Sequence, residues 1–285
     1  MAPRSVWRLM MQNYQRSLAG LIQSQDLVLR DALIKASRSA GQIISGLPGN
    51  GVGVAIRRAF YAQRQLALSN IAVELWDDIP RTIRGNLDVA AQLAANANRQ
   101  VLSVLTRATP GYAAILADSM LHSAGSTFFD VQSRIVNEID LSPSVYKNRA
   151  LMTGKIDDLV NTGIALGQSA REIADAVIDH INPSVVGGQR YAAHRLGRTE
   201  LNNAFHTTSR ATYQESPYVK GVVWNLSGSH EREDECDDWD GEIFEKGEVP
   251  DKPHPQCFCY LTPVTPTPEE FADRMTSGEY DCGGL

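Results

Sequence analysis

The residues best suited to chemistry lie near the end of the chain, in the stretch HPQCFCY at residues 254–260. It contains His254, Cys257 and Cys259, although the whole chain of 285 residues has only four cysteines. Cys257 and Cys259 are two residues apart, so on an extended segment both thiols point to the same side. Thiolate and imidazole groups are ligands that zinc prefers in proteins. The spacing therefore predicts part of a metal site.

Further candidate ligands lie upstream, at Cys236 and His230. Three thiolates and one imidazole would fill a tetrahedral shell and leave no open position for a substrate. We therefore predict a structural Zn²⁺ bound by Cys236, Cys257, Cys259 and one histidine, His254 by preference, with His230 as a possible ligand. The alternative is that these cysteines are ordinary buried thiols.

Residues 230–251 carry eleven acidic and two basic side chains and show no clear hydrophobic period. We predict a loop that a metal ion must hold in place. A different interpretation is a metal-dependent hydrolase or nuclease that uses His230, Asp234, Asp237 and His254 around an open metal. A zinc-finger DNA binder is disfavoured, because this excess of acidic groups repels phosphates.

The charge is distributed unevenly along the chain. Residues 1–67 contain nine basic and two acidic residues, whereas the chain as a whole has a net charge of −6. Such an asymmetry favours an acidic partner for the basic part. We predict that Arg4, Arg8 and Arg16 contact a polyanion, the alternative being an ordinary solvated helix surface.

Hydrophobic residues recur every three or four positions through most of the chain, which predicts amphipathic helices. Proline and glycine mark their ends, at Pro80, Pro110–Gly111 and the stretch SGLPGNGVG. The sequence SARE at 169–172 is typical of a capping box, and Ser142 is a second candidate cap. Helices are predicted at 5–44, 54–79, 81–108, 112–139, 143–165, 173–181 and 189–215.

Strands are predicted only in the C-terminal part, at 219–228 and 260–264, where β-branched and aromatic residues dominate. The fold class is therefore α+β and predominantly α-helical. We predict a helical arm over 1–140, a small α+β domain over 141–265 and a tail over 266–285. No apolar run approaches the roughly 20 residues of a membrane span, and the first residues lack a signal-peptide pattern, so we expect a cytosolic origin.

Several of these segments together resemble a known family. The ordered set is RTE at 198–200 with Asn202 on a helix, VVW at 222–224, CDDWDG at 236–241 and HPQCFC at 254–259. It is similar to the MuF-like minor head proteins of tailed phages, the phage head morphogenesis family, over about residues 145–265.

The family pattern is Cys-x-x-Cys-x-x-Leu-Asp-Gly followed by His-Pro-x-Cys-Arg-Cys. This chain has Glu233 at the first cysteine and Phe258 at the arginine. The resemblance implies a structural virion protein that is made in the host cytoplasm. It would be attached to the portal protein inside the head and would help assembly, DNA packaging, retention or ejection. Packaged DNA and other capsid proteins are possible partners, and neither a membrane nor a small-molecule substrate is expected.

The polar helix that carries RTE has an Arg and a Glu that resemble an acid–base pair. Nothing in the sequence pairs a nucleophile with a base there, so we do not predict an enzyme. We interpret Arg198, Thr199, Glu200 and Asn202 as a hydrogen-bonded structural network that orders nearby loops.

Overall fold

We describe the protein from a computed structural model, which describes residues 4–138, 144–182, 189–228, 230 and 233–280. The chain is 74% helical, with a long N-terminal helical region and a small three-stranded antiparallel sheet near the C-terminus. The predicted class, α+β and predominantly helical, is therefore confirmed. Ser142 lies outside the described residues.

Long amphipathic segments form most of the helices, and caps define several of their ends. At one such end, Ser169 Oγ accepts a hydrogen bond from Glu172 N, and the Glu172 carboxylate accepts one from Ser169 N at 2.6 Å. This is the predicted capping box. The helices are α1 (Arg4–Ser45), α2 (Val54–Ala108), α3 (Tyr112–Glu138), α4 (Ser144–Ala165), α5 (Ala170–Ile181), α6 (Gln189–Glu215), α7 (Glu235–Trp239) and α8 (Pro268–Thr276).

The prediction of a helix end at Pro80 is wrong, because α2 continues through this residue. Proline inside a helix removes one backbone hydrogen bond and costs about 3 kcal/mol. Trp76, Ile79 and Ile83 are buried on either side of Pro80. Burial of one such side chain contributes about 1.5–3 kcal/mol, so packing of the three outweighs the proline.

The sheet contains β1 (Gly221–Asn225), β2 (Ile243–Phe244) and β3 (Tyr260–Val264) in the order β2-β1-β3. Both pairings are antiparallel, with Val223 opposite Ile243 on one side and opposite Thr262 on the other. All five residues of β1 are buried, as expected for a central strand rich in valine and tryptophan. Pro263 lies in the edge strand β3, where a missing backbone donor is tolerated.

The acidic segment 230–251 is more ordered than predicted, since it contains α7 and β2. Asp234 caps α7: its side chain accepts from Cys236 N at 2.8 Å, and its own N–H donates to Asp237 Oδ2 at 2.8 Å. Carboxylates at a helix N-terminus are stabilised by its unpaired N–H groups. The acids that suggested a loop therefore act partly as helix caps.

The chain separates into two compact units, each built from distant stretches of sequence. The first unit comprises Met1–Leu21, Asn86–Asp140 and Thr199–Leu285, and the second comprises Ile22–Gly85 and Leu141–Arg198. The division into an arm over 1–140, a domain over 141–265 and a tail over 266–285 stays a prediction.

The first unit has a hydrophobic core that helices and sheet share. Trp7 from α1, Leu102 from α2 and Met120 from α3 belong to the same buried cluster as Trp224 of β1. The Trp7 indole N–H also donates to Thr265 Oγ1 at 3.2 Å. Phe271 of α8 is fully buried in this cluster, so the part of the predicted tail that forms α8 contributes to the core.

In the second unit, polar side chains of α2 contact α4 and the residues that follow it. Arg57, which is buried, donates to the backbone carbonyl of Gln168 at 2.6 Å. One turn later the Tyr61 hydroxyl donates to Asp157. Polar contacts therefore add to the packing of apolar helix faces in this unit.

Candidate metal centre

Three elements of the first unit present the candidate ligands. Helix α7 carries Cys236, the turn before β3 carries His254, and the segment leading into β3 carries Cys257 and Cys259. The three cysteines are free and buried. The turn includes Gln256, whose φ of 63° lies in the left-handed region that few residues other than glycine adopt.

The structure brings Cys236, His254 and Cys257 together. Cys236 Sγ lies 3.6 Å from Cys257 Sγ and 3.8 Å from His254 Nε2, and the three ligand atoms all lie within 4.8 Å of one another. In a tetrahedral zinc site, bond lengths of about 2.0–2.3 Å place neighbouring ligand atoms about 3.5–3.8 Å apart. This cluster can therefore hold a metal ion.

A backbone hydrogen bond orients His254. Its Nδ1 lies 3.0 Å from the carbonyl oxygen of Pro255, which can only accept, so Nδ1 carries a proton. Nε2 is the nitrogen that remains to bind a metal, and it lies 3.0 Å from Asp234 Oδ2. Ligand histidines are commonly fixed in this way through their other ring nitrogen.

The three thiols influence one another strongly. A hydrogen bond from Cys259 lowers the pKa of Cys257 to about 5, and the nearby charge of Lys252 acts in the same direction, against the effect of burial. Burial, followed by the charge of Cys257, raises the pKa of Cys236 to about 12. The hydrogen bond to Cys257 and burial raise the pKa of Cys259. Cys257 is therefore the first of the three to become a thiolate, the form that binds metals.

Cys259 is buried and interacts with the other two thiols, so it is placed beside the cluster. Its role as fourth ligand stays a prediction. The ammonium of Lys252 donates to the backbone carbonyls of Cys257 at 2.6 Å and of Cys259 at 2.8 Å. Burial lowers the pKa of Lys252, whereas the charges of the neighbouring thiols raise it.

His230 lies with Asp234 and Asp237 in a second group whose ligand atoms are within 4.8 Å of one another. Its Nε2 is 2.9 Å from Asp237 Oδ2, and this hydrogen bond raises the pKa of His230. The backbone N–H of Asp234 lowers the pKa of Asp237, and His230 adds to this effect. Asp234 lies between the two histidines: its Oδ2 contacts His254 Nε2, and its Oδ1 is 3.8 Å from His230 Nε2.

Helix α6 holds the segment between β2 and β3 through one of its faces. Thr199 Oγ1 accepts from Gln256 N at 3.1 Å, which supports the left-handed turn beside the ligands. His206 Nε2 is 3.0 Å from the Pro250 carbonyl, and Arg210 donates to Asp251 at 2.5 Å. The contacts of His206 and Arg210 were not predicted from the sequence, although their spacing of seven and eleven residues from Thr199 places all three near one helix face.

The other members of the predicted network are Arg198, Glu200 and Asn202. Arg198, in the second unit, pairs with Asp26 of the same unit at 2.7 Å. Glu200 and Asn202, in the first unit, are buried with 5% and 1% exposure. That these residues act as one network stays a prediction.

The basic residues proposed to contact a polyanion lie on α1. Arg8 and Arg16 are exposed, and Arg16 donates to Asn13 Oδ1 at 2.8 Å. The side chain of Arg4 lies outside the described part of the structure. Exposed guanidinium groups are available to a partner.

Comparison with protein-family models, curated proteins and solved structures finds no match to this chain. Within the described ranges, no helix combines the length and the apolar character that crossing a membrane requires.

Proposed function

We propose that this protein is a structural minor head protein of a tailed phage, similar to the MuF-like proteins. What supports the proposal is that the segments behind the resemblance meet at one place. Thr199 of the polar helix contacts the turn at Gln256, and this turn carries His254 and Cys257 to Cys236. We propose that the protein is located in the capsid interior, near the portal vertex.

In this proposal the metal is Zn²⁺, and Cys236, His254, Cys257 and Cys259 bind it. Sulfur and imidazole donors suit zinc, and four protein ligands leave no site for a substrate. The metal would then hold α7 against the segment before β3, and the protein would not be an enzyme.

Metal analysis of the purified full-length chain tests the zinc site. We expect about one equivalent of zinc, and Cys257→Ser should lose most of it and melt at a lower temperature, because structural zinc sites contribute about 10 kcal/mol or more. Cys282→Ser removes the cysteine outside the proposed set and is the matched control. Less than a tenth of an equivalent in the wild-type protein, with unchanged melting of Cys257→Ser, would identify the thiols as core residues.

The proposed partners are the portal protein, packaged DNA and other capsid proteins. The excess of basic over acidic residues in the first 67 positions supports an acidic partner surface. Neither a membrane nor a small-molecule substrate is part of the proposal.

Mass spectrometry of purified virions, combined with chemical crosslinking, tests the role in the head. We expect a few copies of this chain per particle and crosslinks from its lysines to the portal protein. Replacement of Arg8 and Arg16 by Gln should weaken the association more at low salt than at high salt, because salt screens the contacts of exposed charges. Virions that lack the chain would exclude this function.

The grouping of His230 with Asp234 and Asp237 favours a second candidate, a metal-dependent hydrolase or nuclease. Together with His254 these residues could bind a divalent ion with an open coordination position. Nuclease and peptidase assays with Zn²⁺, Mg²⁺ and Mn²⁺ distinguish the two functions. Turnover that disappears in Asp237→Asn would support the enzyme.

A further inference from the structure

Lys252 places a positive charge against the backbone of two cysteines in the candidate metal centre. Its Nζ donates to the carbonyl oxygens of Cys257 at 2.6 Å and Cys259 at 2.8 Å. Among the described residues these two carbonyls are its hydrogen-bond partners, and no carboxylate forms an ion pair with it. The hydrogen bonds of the ammonium in the described residues are therefore made to carbonyl groups.

Lys252 is half-buried, and a charge withdrawn partly from water is more stable when an opposite charge lies nearby. The cysteines whose carbonyls it contacts are Cys257 and Cys259, and Cys236 Sγ lies 3.6 Å from Cys257 Sγ. All three belong to the set proposed to bind zinc. The position of Lys252 thus indicates that this part of the protein carries net negative charge when it is complete.

The charges of the possible ligand sets differ. Zn²⁺ with three thiolates and a neutral imidazole carries one net negative charge, which one ammonium cancels. Zn²⁺ with two thiolates, one imidazole and a water molecule is neutral and leaves Lys252 without a counter-charge. Asp234 in place of Cys259 would also give one negative charge. However, Asp234 Oδ1 already accepts from Cys236 N, where Asp234 caps α7.

We propose that Lys252 is a positioning residue for the metal centre. Its charge balances the negative charge of a site with three thiolates, and its hydrogen bonds fix the backbone carbonyls of Cys257 and Cys259. This inference rests on the proposed zinc site. It assigns the fourth ligand to Cys259 and gives a reason for a cation beside the thiols.

Metal titrations of the full-length protein test the role of Lys252. Lys252→Gln retains neutral hydrogen-bond donors but removes the charge. We expect it to weaken Zn²⁺ and Co²⁺ binding by about tenfold or more, as is typical when a group that supports the ligands is lost. Lys252→Arg keeps the charge and should bind within about threefold of the wild type. Lys246→Gln is the matched control, because Lys246 also donates to a backbone carbonyl, that of Ser216 at 3.0 Å.

The absorption of the Co²⁺ complex reports how many thiolates bind the metal, and a Cys259→Ser background separates charge balance from a purely structural role of Lys252. We expect thiolate-to-cobalt bands of three-thiolate intensity in the wild type, and the same intensity per bound cobalt in Lys252→Gln. In a Cys259→Ser background, which removes one negative charge, Lys252→Gln should have little further effect on affinity.

Wild-type affinity in Lys252→Gln would overturn this inference and leave the zinc site intact. A two-thiolate spectrum of the wild type would also overturn it, because charge balance requires three thiolates. If Lys252→Gln fails to fold, Lys252→Arg decides: binding within about threefold of the wild type supports charge balance, and a loss of about tenfold contradicts it. A wild-type protein that binds neither metal would overturn the proposed zinc site itself.

Discussion

At the scale of single residues, Thr199 of α6 supports the turn at Gln256, which carries the candidate ligands His254 and Cys257. A residue other than glycine in the left-handed region costs about 1 kcal/mol or more, so Gln256 needs support from its surroundings. The hydrogen bond from its N–H to Thr199 Oγ1 supplies part of that support.

We predict that Thr199→Val lowers the free energy of unfolding by about 1 kcal/mol, since it leaves the Gln256 N–H without this acceptor. Thr199→Ser keeps the hydroxyl and should be close to the wild type. Urea unfolding measured on both variants checks the prediction. Equal stability of the Val and Ser variants would show that the turn does not depend on this bond.

A second prediction at the scale of single residues concerns the stability of the fold at low pH. His206 is buried with 3% exposure, and burial lowers its pKa to about 3. Between about pH 3 and pH 6.5 the unfolded chain therefore binds a proton at this residue that the folded chain does not. Stability contributed by neutral His206 is complete above pH 6.5 and decreases as the pH falls.

We expect His206→Gln to reduce the loss of unfolding free energy between pH 7 and pH 4.5 by about 2 kcal/mol. Glutamine can still donate to the Pro250 carbonyl but does not titrate. His180→Gln is the control, because His180 is only partly buried and should contribute less. The same acid sensitivity in His206→Gln and the wild type would place the titrating groups elsewhere.

The candidate ligands could be predicted from the sequence, and the side chains that contact their segments could not. The types and local spacing of Cys257, Cys259 and His254 indicate a metal site by themselves. Lys252 offers no such signal, since its role depends on where two backbone carbonyls lie. His206 and Arg210 act on residues 44 and 41 positions away, a pairing that only the folded chain determines.

At the scale of elements, hydrophobic periodicity predicted the helices well, because long segments repeat the pattern many times. It failed where a local signal conflicts with packing. Pro80 favours a helix end, but buried residues on both sides keep α2 continuous. In the acidic segment, Asp234 and Asp237 look like loop residues, yet Asp234 accepts from Cys236 N in α7 and Asp237 accepts from the N–H of Asp234.

The continuity of α2 leads to a prediction for Pro80. Pro80→Ala restores a backbone donor inside the helix and should raise the free energy of unfolding by about 1–3 kcal/mol. Pro268→Ala is the control, because proline in the first turn of α8 replaces an N–H that has no helical partner. Thermal unfolding of both variants gives the comparison, and a destabilised Pro80→Ala would mean that the proline ring itself contributes to packing.

At the scale of the whole molecule, the compact units do not correspond to continuous stretches of the sequence. The first unit takes its residues from three separate stretches, and its division from the second falls within α1, α2 and α6. Changes in composition along the chain locate the strands and the metal ligands. They carry no information about which distant helices complete the core, since that depends on long-range packing.

The last prediction follows from this shared core. A fragment of residues 141–265, the α+β domain expected from the sequence, lacks Trp7, Leu102, Met120 and Phe271, which pack in the same cluster as Trp224. Loss of several large buried side chains costs about 2–5 kcal/mol for each, which approaches the whole stability of a typical domain. We therefore expect the fragment to lack a cooperative thermal transition in near-ultraviolet circular dichroism, even with zinc added.

Co-expression of the same fragment with residues 1–140 is the matched control, because this segment returns Trp7, Leu102 and Met120 to the core. We expect the co-expressed pair to recover part of the cooperative transition of the full chain. An isolated fragment that melts cooperatively within a few degrees of the full chain would show that the sheet, α7 and the metal ligands form a domain of their own. The helices of the first 140 residues would then be an arm, as the sequence predicts, and their contacts with the sheet would contribute little to its stability.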